Sequence, residues 1–280
     1  MIYFGTAKTA GDKYKTAYEE ESKMSGVTIN GKQYGSIEEY MEEINPTIVE
    51  GDPKEWAYTV EPDGITLTEY LNEDKTIDTV VIPNYIGGVP VKRIDSKVDT
   101  GYAQYTIWNE KICEGRYGIG NSISVPGNLT IKKITIPNGV EVIGYHAFAE
   151  TRNLENIVLP STLLEVGNRS FYNCSSLTSL TIPNNVKIIG GNAFSSCSNL
   201  MKITIPDSVT SISYSAFSYC TNLTEITIPS SVTVMDTDVF YGIPSITVHV
   251  PWKKGEKPER WANNWNSTGS DCTITVDYAK

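Results

Sequence analysis

Residues 177–200 read LTSLTIPNNVKIIGGNAFSSCSNL, and the same phrase returns on both sides of them. Pro137, Pro160, Pro183, Pro206 and Pro229 are spaced 23 residues apart, and so are Phe148, Phe171, Phe194, Phe217 and Phe240. Aligned on these, the copies share three more columns: Ile143, Val166, Ile189, Ile212 and Met235; Leu154, Leu177, Leu200, Leu223 and Ile246; Cys174, Cys197 and Cys220. The unit is P-x-x-V-x-x-I-G-x-x-A-F-x-x-C-x-N-L-x-x-I-x-I. A fixed period in the low twenties marks a solenoid whose coils bury their apolar residues only against neighbours.

Alternation predicts a short strand in each coil, with Leu177, Leu180 and Ile182 inward and Thr181 outward. Pro183 ends it, Val186 and Ile189 point inward from a second extended piece, and Gly190 turns the chain into a short helical or irregular corner bearing Phe194. The expected fold is therefore mostly β, a solenoid of 23-residue coils with parallel strands and short helical corners. Like side chains then stack about 4.7 to 4.9 Å apart. That separation exceeds the roughly 3.5 to 4.5 Å between Cβ atoms of a disulfide, so Cys174, Cys197 and Cys220 read as buried thiols. Cys113 and Cys272 lie outside the column, and a bridge between them stays open.

Charge is unevenly placed along the 280 residues. Residues 1–78 carry 17 acidic and 7 basic side chains, and the remainder carries 16 of each. With no basic stripe the chain has nothing to set against a phosphate backbone, so no nucleic-acid partner is expected. No segment approaches the roughly 20 apolar residues of a membrane span. Ile2, Tyr3 and Phe4 read as the end of an apolar segment continuing before Met1, so membrane contact is expected only through such an upstream anchor.

The sequence divides into an acidic helix with a small hairpin-helix module at 1–55, a solenoid at 56–251 and a C-terminal cap at 252–280. In the first, Ala7 to Met24 is helix-prone, Val27, Ile29 and Tyr34 flank an Asn30-Gly31 hairpin turn, and Ser36 with Glu39 caps a second helix. Trp56, Tyr58 and Val60, then Pro62-Asp63-Gly64, then Ile65 and Leu67 predict a hairpin covering the open end of the solenoid. Val80-Val81-Ile82-Pro83 begins a first coil that lacks its phenylalanine. Between it and the regular copies lies an insertion at 101–127 carrying Tyr105, Trp108 and Tyr117, aromatics suited either to recognition or to packing over adjacent coils. Trp252, Trp261 and Trp265 follow the last repeat; Trp261 and Trp265, four apart after Pro258, fit one helix face. They read as a cap, with a stacking platform for sugars as the alternative.

Catalytic constellations are missing from this pattern. His146 and His249 are about four coils apart, too far to share a site, and neither nucleophile–base pairs nor paired carboxylates stand out. No enzyme activity, cofactor or metal is expected. Gly115-Arg116-Tyr117-Gly118-Ile119-Gly120 lacks the spacing of a dinucleotide fingerprint. Two outward rows remain: Thr135, Val158, Thr181, Thr204 and Thr227, which suit a pleated surface, and Lys133, Asn156, Ser179, Lys202 and Glu225. The second varies from copy to copy, as a recognition face would and as neutral drift would.

The phrases LTSLTIPNNVKIIGGNAFSSCSNL and LTEITIPSSVTVMDTDVF resemble the BspA-like leucine-rich-repeat family of bacterial surface proteins. The resemblance runs from Trp56 to Lys280 and includes WAYTVEPDGITLTEY and VPWKKGEKPERWANNWNS. It implies a right-handed leucine-rich-repeat solenoid, an extracellular or cell-surface location, and binding to host matrix or cell-surface proteins. AKTAGDKYKTAYEEESKM is similar to the segment after the apolar helix of prepilin-like surface proteins of gut bacteria, which implies an upstream anchor. Three functions are thus expected in turn: a protein-binding repeat face, a glycan-binding module using exposed aromatics, or a spacer with no ligand.

Overall fold

A computed structural model describes residues 25–29, 32–36, 50–70, 77–95, 104–105, 111–113, 131–267 and 272–279. The described chain is mostly β and contains no helix. It begins with the hairpin β1 (Ser25–Ile29) and β2 (Lys32–Ser36), paired antiparallel across Asn30-Gly31. The helices expected at 7–24 and 37–44 lie outside the described residues, and Ser36, expected to cap the second, ends β2.

The next strands are β3 (Glu50–Gly51), β4 (Trp56–Glu61), β5 (Gly64–Tyr70), β6 (Thr79–Val81), β7 (Tyr85–Ile86) and β8 (Val89–Ile94). β4 and β5 form the antiparallel hairpin around Pro62-Asp63, and β5 lies parallel to β8. Within the insertion only β9 (Gln104–Tyr105) and β10 (Lys111–Cys113) are described, paired with each other.

From residue 131 each copy of the phrase contributes two strands. The front strands are β11 (Lys133–Thr135), β13 (Asn156–Val158), β15 (Ser179–Thr181), β17 (Lys202–Thr204) and β19 (Glu225–Thr227); the back strands are β12 (Val142–Ile143), β14 (Glu165–Val166), β16 (Ile188–Ile189), β18 (Ser211–Ile212) and β20 (Val234–Met235). β21 (Ser245–Val250) and β22 (Thr273–Tyr278) end the front. Neighbours are parallel and in register, Ile134 beside Ile157 and Ile143 beside Val166. β11 also pairs with β6, and β12 with β8, so the coil carrying β6 and β8 is the neighbour of the coil carrying β11 and β12. The back ladder runs unbroken from β8 to β20, whereas the front ladder falls into three pieces, β6-β11-β13, β15-β17 and β19-β21-β22.

Between the two ladders lies one core. Phe148, Phe171, Phe194, Phe217 and Phe240 are completely buried and stacked, with centroid separations of 5.5, 5.4, 5.6 and 6.0 Å. Phe171, Phe194 and Phe217 are parallel within 2°. Coils that superpose by near-translation repeat at the ring separation, so this side of the stack is wider than the roughly 4.8 Å of a strand ladder.

The corners differ from the sequence expectation: they are turns and not helical. Each contains two left-handed residues four apart, such as His146 (φ 57°) and Glu150 (φ 61°), or Asn192 (φ 54°) and Ser196 (φ 64°). The physical reason is where the N–H groups go. His146, Phe148 and Glu150 donate to Asn168 O, Ser170 O and Tyr172 O of the next coil, at 3.1, 2.8 and 2.7 Å. An α-helix would consume those donors within the coil and leave the corner stack without a ladder. Gly190 permits the close approach, since a Cβ there would lie 2.5 Å from Asn168 N.

Cys174, Cys197 and Cys220 are buried free thiols. Each Sγ donates to the carbonyl of the phenylalanine one coil back, Phe148, Phe171 and Phe194, at 3.2, 3.2 and 3.1 Å. Burial pushes Cys197 up to about 12 and the other two well above the ordinary thiol range. Thiolate is the reactive form, so at pH 8 these three should be labelled by a disulfide reagent only at the rate of unfolding, while half-buried free Cys272 reacts directly. A Cys113→Ser background keeps the readout clean. Labelling of Cys174, Cys197 or Cys220 faster than global unfolding would contradict the sealed column.

Candidate functional site

The front strands follow an exposed–buried–exposed pattern in β13, β15, β17 and β19, because alternate side chains leave opposite faces of a strand. Ile157, Leu180, Ile203 and Ile226 go into the core. Lys133, Asn156, Ser179, Lys202 and Glu225 are all exposed on the outer face. Register places Lys133 beside Asn156 and Ser179 beside Lys202, while Glu225 begins the next piece of the front ladder, β19. The remaining three, Tyr105, Trp108 and Tyr117, have side chains outside the described residues.

The second outward row continues past the repeats. Thr227, His249 and Asp277 occupy equivalent positions on β19, β21 and β22, and His249 Nδ1 lies 2.8 Å from Asp277 Oδ2. His146 is elsewhere, buried in a corner and stacked at 4.1 Å on Tyr145. Neither of its ring nitrogens has a hydrogen-bond partner, and burial, aided by the Arg169 charge, lowers its pKa to about 3. Among the described residues no cluster of three or more His, Cys, Asp or Glu is arranged to hold a metal ion.

The tryptophans require a correction. Trp261 and Trp265 are only 2% and 5% exposed, and they are not on a helix. Trp265 packs edge-on against Phe240 at 6.2 Å, Trp261 against Trp252 at 4.3 Å, and Trp261 Nε1 donates to Val232 O. Asp238 and Val239 N–H donate to Asn264 O and Trp265 O, as each earlier corner donates to its successor. A ring closing the phenylalanine column offers no face to a sugar, so the stacking platform on Trp261 and Trp265 is excluded.

Exposed aromatics occur instead at the corners, where sequence reasoning did not look. Tyr214, Tyr219 and Tyr241 are among the most exposed large side chains. A Cβ on Gly191 would meet three consecutive atoms of the Tyr214 ring at 2.4 to 2.8 Å, so the ring lies face-down on that glycine. Tyr219 lies likewise on Gly242 and meets Tyr241 edge-on at 5.6 Å. The signal available in the sequence was the glycine one coil away from Tyr214 and from Tyr219.

A second site-like feature is a groove of about 530 Å3 on the front, between β13 and β15. It is lined by Asn156, Ser179, Thr181, Asn184 and Asn185 above Ile157 and Leu180. No charged side chain lines it.

Comparison with known proteins was informative for the repeats. Residues 126–247 match the BspA type leucine rich repeat region, in six copies. Among solved structures, a leucine rich repeat protein of T. pallidum is 28% identical, with a TM-score of 0.55 over 72% of this chain and 81% of that one. The pneumococcal vaccine antigen PcpA is 22% identical, with a TM-score of 0.50 over 75% of this chain and 50% of that one, a likeness of fold. A leucine rich cell surface protein of Faecalibacterium prausnitzii is 24% identical, with a TM-score of 0.46 over 73% of this chain and 55% of that one. No curated protein matches the chain.

Proposed function

We propose that this chain, whose residues 126–247 match the BspA type leucine rich repeat region, is a non-catalytic bacterial surface or secreted protein that presents its front face to a protein partner. In this reading residues 56–251 form one right-handed solenoid of 23-residue coils, residues 1–55 a separate acidic module and residues 252–280 the closing cap. The partner is a host matrix or cell-surface protein. The observation that carries the proposal is the contrast between two sets of columns. Inward positions hardly vary, whereas the exposed positions Lys133, Asn156, Ser179, Lys202 and Glu225 change residue type at every step and include both signs of charge. The surface location rests on the repeat family. Among the described residues no helix is long and apolar enough to cross a membrane.

Charge reversal along the row tests this. The triple variant Lys133→Glu, Lys202→Glu, Glu225→Lys alters only exposed side chains, so its melting temperature should stay within about 2 °C of the parent. Saturable binding of the full chain to a panel of immobilised matrix proteins should weaken at least tenfold, or about 1.4 kcal/mol. Undiminished binding would remove the row from the interface. Failure of the parent chain to bind saturably to any of them would favour a spacer instead.

A further inference from the structure

At the corners of the stack two aromatic rings are laid flat on the backbone, Tyr214 with one face on Gly191 and Tyr219 with one face on Gly242. The two side chains are nevertheless 43% and 49% exposed, so each ring turns its opposite face to solvent. Neither glycine is required by the backbone. Gly191 shares a repeat column with Tyr214, Asn168 and Thr237, and its φ is not left-handed. Gly242 is left-handed (φ 75°), but Glu150, Asn173, Ser196 and Tyr219 adopt the same conformation in the same column with a side chain attached. What a Cβ at these two positions would meet is the ring, at 2.4 Å in Tyr214 and 2.5 Å in Tyr219. Tyr241 closes one side of Tyr219, edge-on at 5.6 Å.

The corners that carry these rings, residues 190–196, 213–219 and 236–242, contain no Lys or Arg. Around the rings stand the short polar side chains of Asn192, Ser213, Ser215 and Thr237, with Asp236 and Asp238. Both carboxylates already accept a hydrogen bond, Asp236 from the Thr237 N–H and Asp238 from the Ser267 hydroxyl. We propose that this corner surface binds a neutral oligosaccharide of hexopyranoses, with Tyr214 and Tyr219 as two stacking platforms. The negative face of an aromatic ring attracts the positively polarised C–H groups on the flat side of a pyranose. Hydroxyl, amide and carboxylate groups beside the rings supply the donors and acceptors that sugar hydroxyls pair with. Two aspartates without a cation disfavour an acidic sugar or a phosphate. Aromatic anchors of protein interfaces fill pockets on the partner; a ring pressed onto its own backbone can be covered but not inserted. From one coil Tyr214 reaches back over the coil of Phe194 and Tyr219 forward over that of Phe240, at coil steps of 5.6 and 6.0 Å. The platforms thus suit separate sugar residues of one chain. This site lies away from the front strands and stands independently of the protein partner proposed for them.

Calorimetric titration of the full chain with cellohexaose and with N-acetylchitohexaose tests the proposal. At least one should bind with a dissociation constant of about 1 mM or below, equally at low and high salt because no charge is neutralised. Tyr214→Ala and Tyr219→Ala should each raise that constant about five- to tenfold, with melting temperatures within about 2 °C of the parent because both side chains are exposed. Gly191→Ala keeps the tyrosine but lifts its ring, and should weaken binding as Tyr214→Ala does, whereas Tyr214→Phe should not. The charge-reversed variant of the front row should bind the sugar as the parent does, so failure of either proposal leaves the other standing. Absence of binding by both hexasaccharides would overturn the proposal, and so would binding undiminished in both alanine variants. Binding of hexa-arginine that is lost in Tyr214→Ala, with no hexasaccharide bound, would assign the rings to cation stacking in a protein interface and overturn it as well.

Discussion

Phe194→Ala is expected to lower the free energy of unfolding by about 3 to 5 kcal/mol. The ring is fully buried between Phe171 and Phe217, at 5.4 and 5.6 Å and parallel to both. Truncation removes the transfer free energy of a large side chain and leaves a cavity. Collapse of that cavity is resisted because the backbone on either side is tied into the corner ladder. Phe171 N–H donates to Ala193 O, and Phe194 N–H to Ala216 O at 2.9 Å. Since each coil is stabilised only by its neighbours, one substitution weakens two interfaces at once. Urea denaturation of parent and variant measures the difference. A transition midpoint indistinguishable from the parent's would mean that the phenylalanine column is not the spine of the core.

The second large effect is on pH dependence, through His146. Its imidazole is 1% exposed, without a partner for either nitrogen, and takes up a proton only near pH 3 in the folded chain. In the unfolded chain it does so near the ordinary value of about 6.5. Between those values the unfolded state holds the extra proton, so stability is complete above about pH 6.5 and falls as pH drops toward 3. The slope is about 1.4 kcal/mol per pH unit, or roughly 2 kcal/mol lost between pH 6.5 and pH 5, a window in which ordinary carboxylates contribute little. His146→Asn should abolish this slope, since asparagine already occupies the equivalent left-handed position at Asn192 (φ 54°). His249→Gln should preserve it. Denaturation midpoints that stay flat from pH 7 to pH 5 in the parent chain would show that His146 is not held neutral by burial.

Much of the fold was legible because a repeated phrase reports repeated burial. Columns at a fixed spacing can be apolar in every copy only if every copy turns them inward, and Leu154, Leu177, Leu200 and Leu223 are all fully buried. The hairpin at Asn30-Gly31 and the strand pair around Pro62-Asp63-Gly64 were legible for a different reason, since those residues supply the backbone conformations of tight turns. Alternation likewise fixed which side of the front strands Lys133, Asn156, Ser179, Lys202 and Glu225 would occupy. It left open whether anything binds there.

Other features were not readable from local sequence. Gly190 followed by Ala193 and Phe194 suits a helical corner as well as a turn; the turn prevails because the N–H groups of Asn192, Phe194 and Ser196 find acceptors on Tyr214, Ala216 and Ser218, one coil away. Trp261 and Trp265 have a spacing that suits a helix face, and their burial, Trp265 against Phe240 and Trp261 against Trp252 and Trp265, depends on the neighbouring coil.

The groove is the clearest case. Asn156-Ile157-Val158 and Ser179-Leu180-Thr181 are as alike as Ser179-Leu180-Thr181 and Lys202-Ile203-Thr204, yet the first pair stands apart and the second is bonded. By itself the sequence determined which side chains are inside, because burial is decided by residue chemistry repeated coil after coil. Only the tertiary structure decided where main-chain groups meet and where they stay open. Pairing depends on how the N–H and C=O groups of two neighbouring coils align, and side-chain identity carries no record of it.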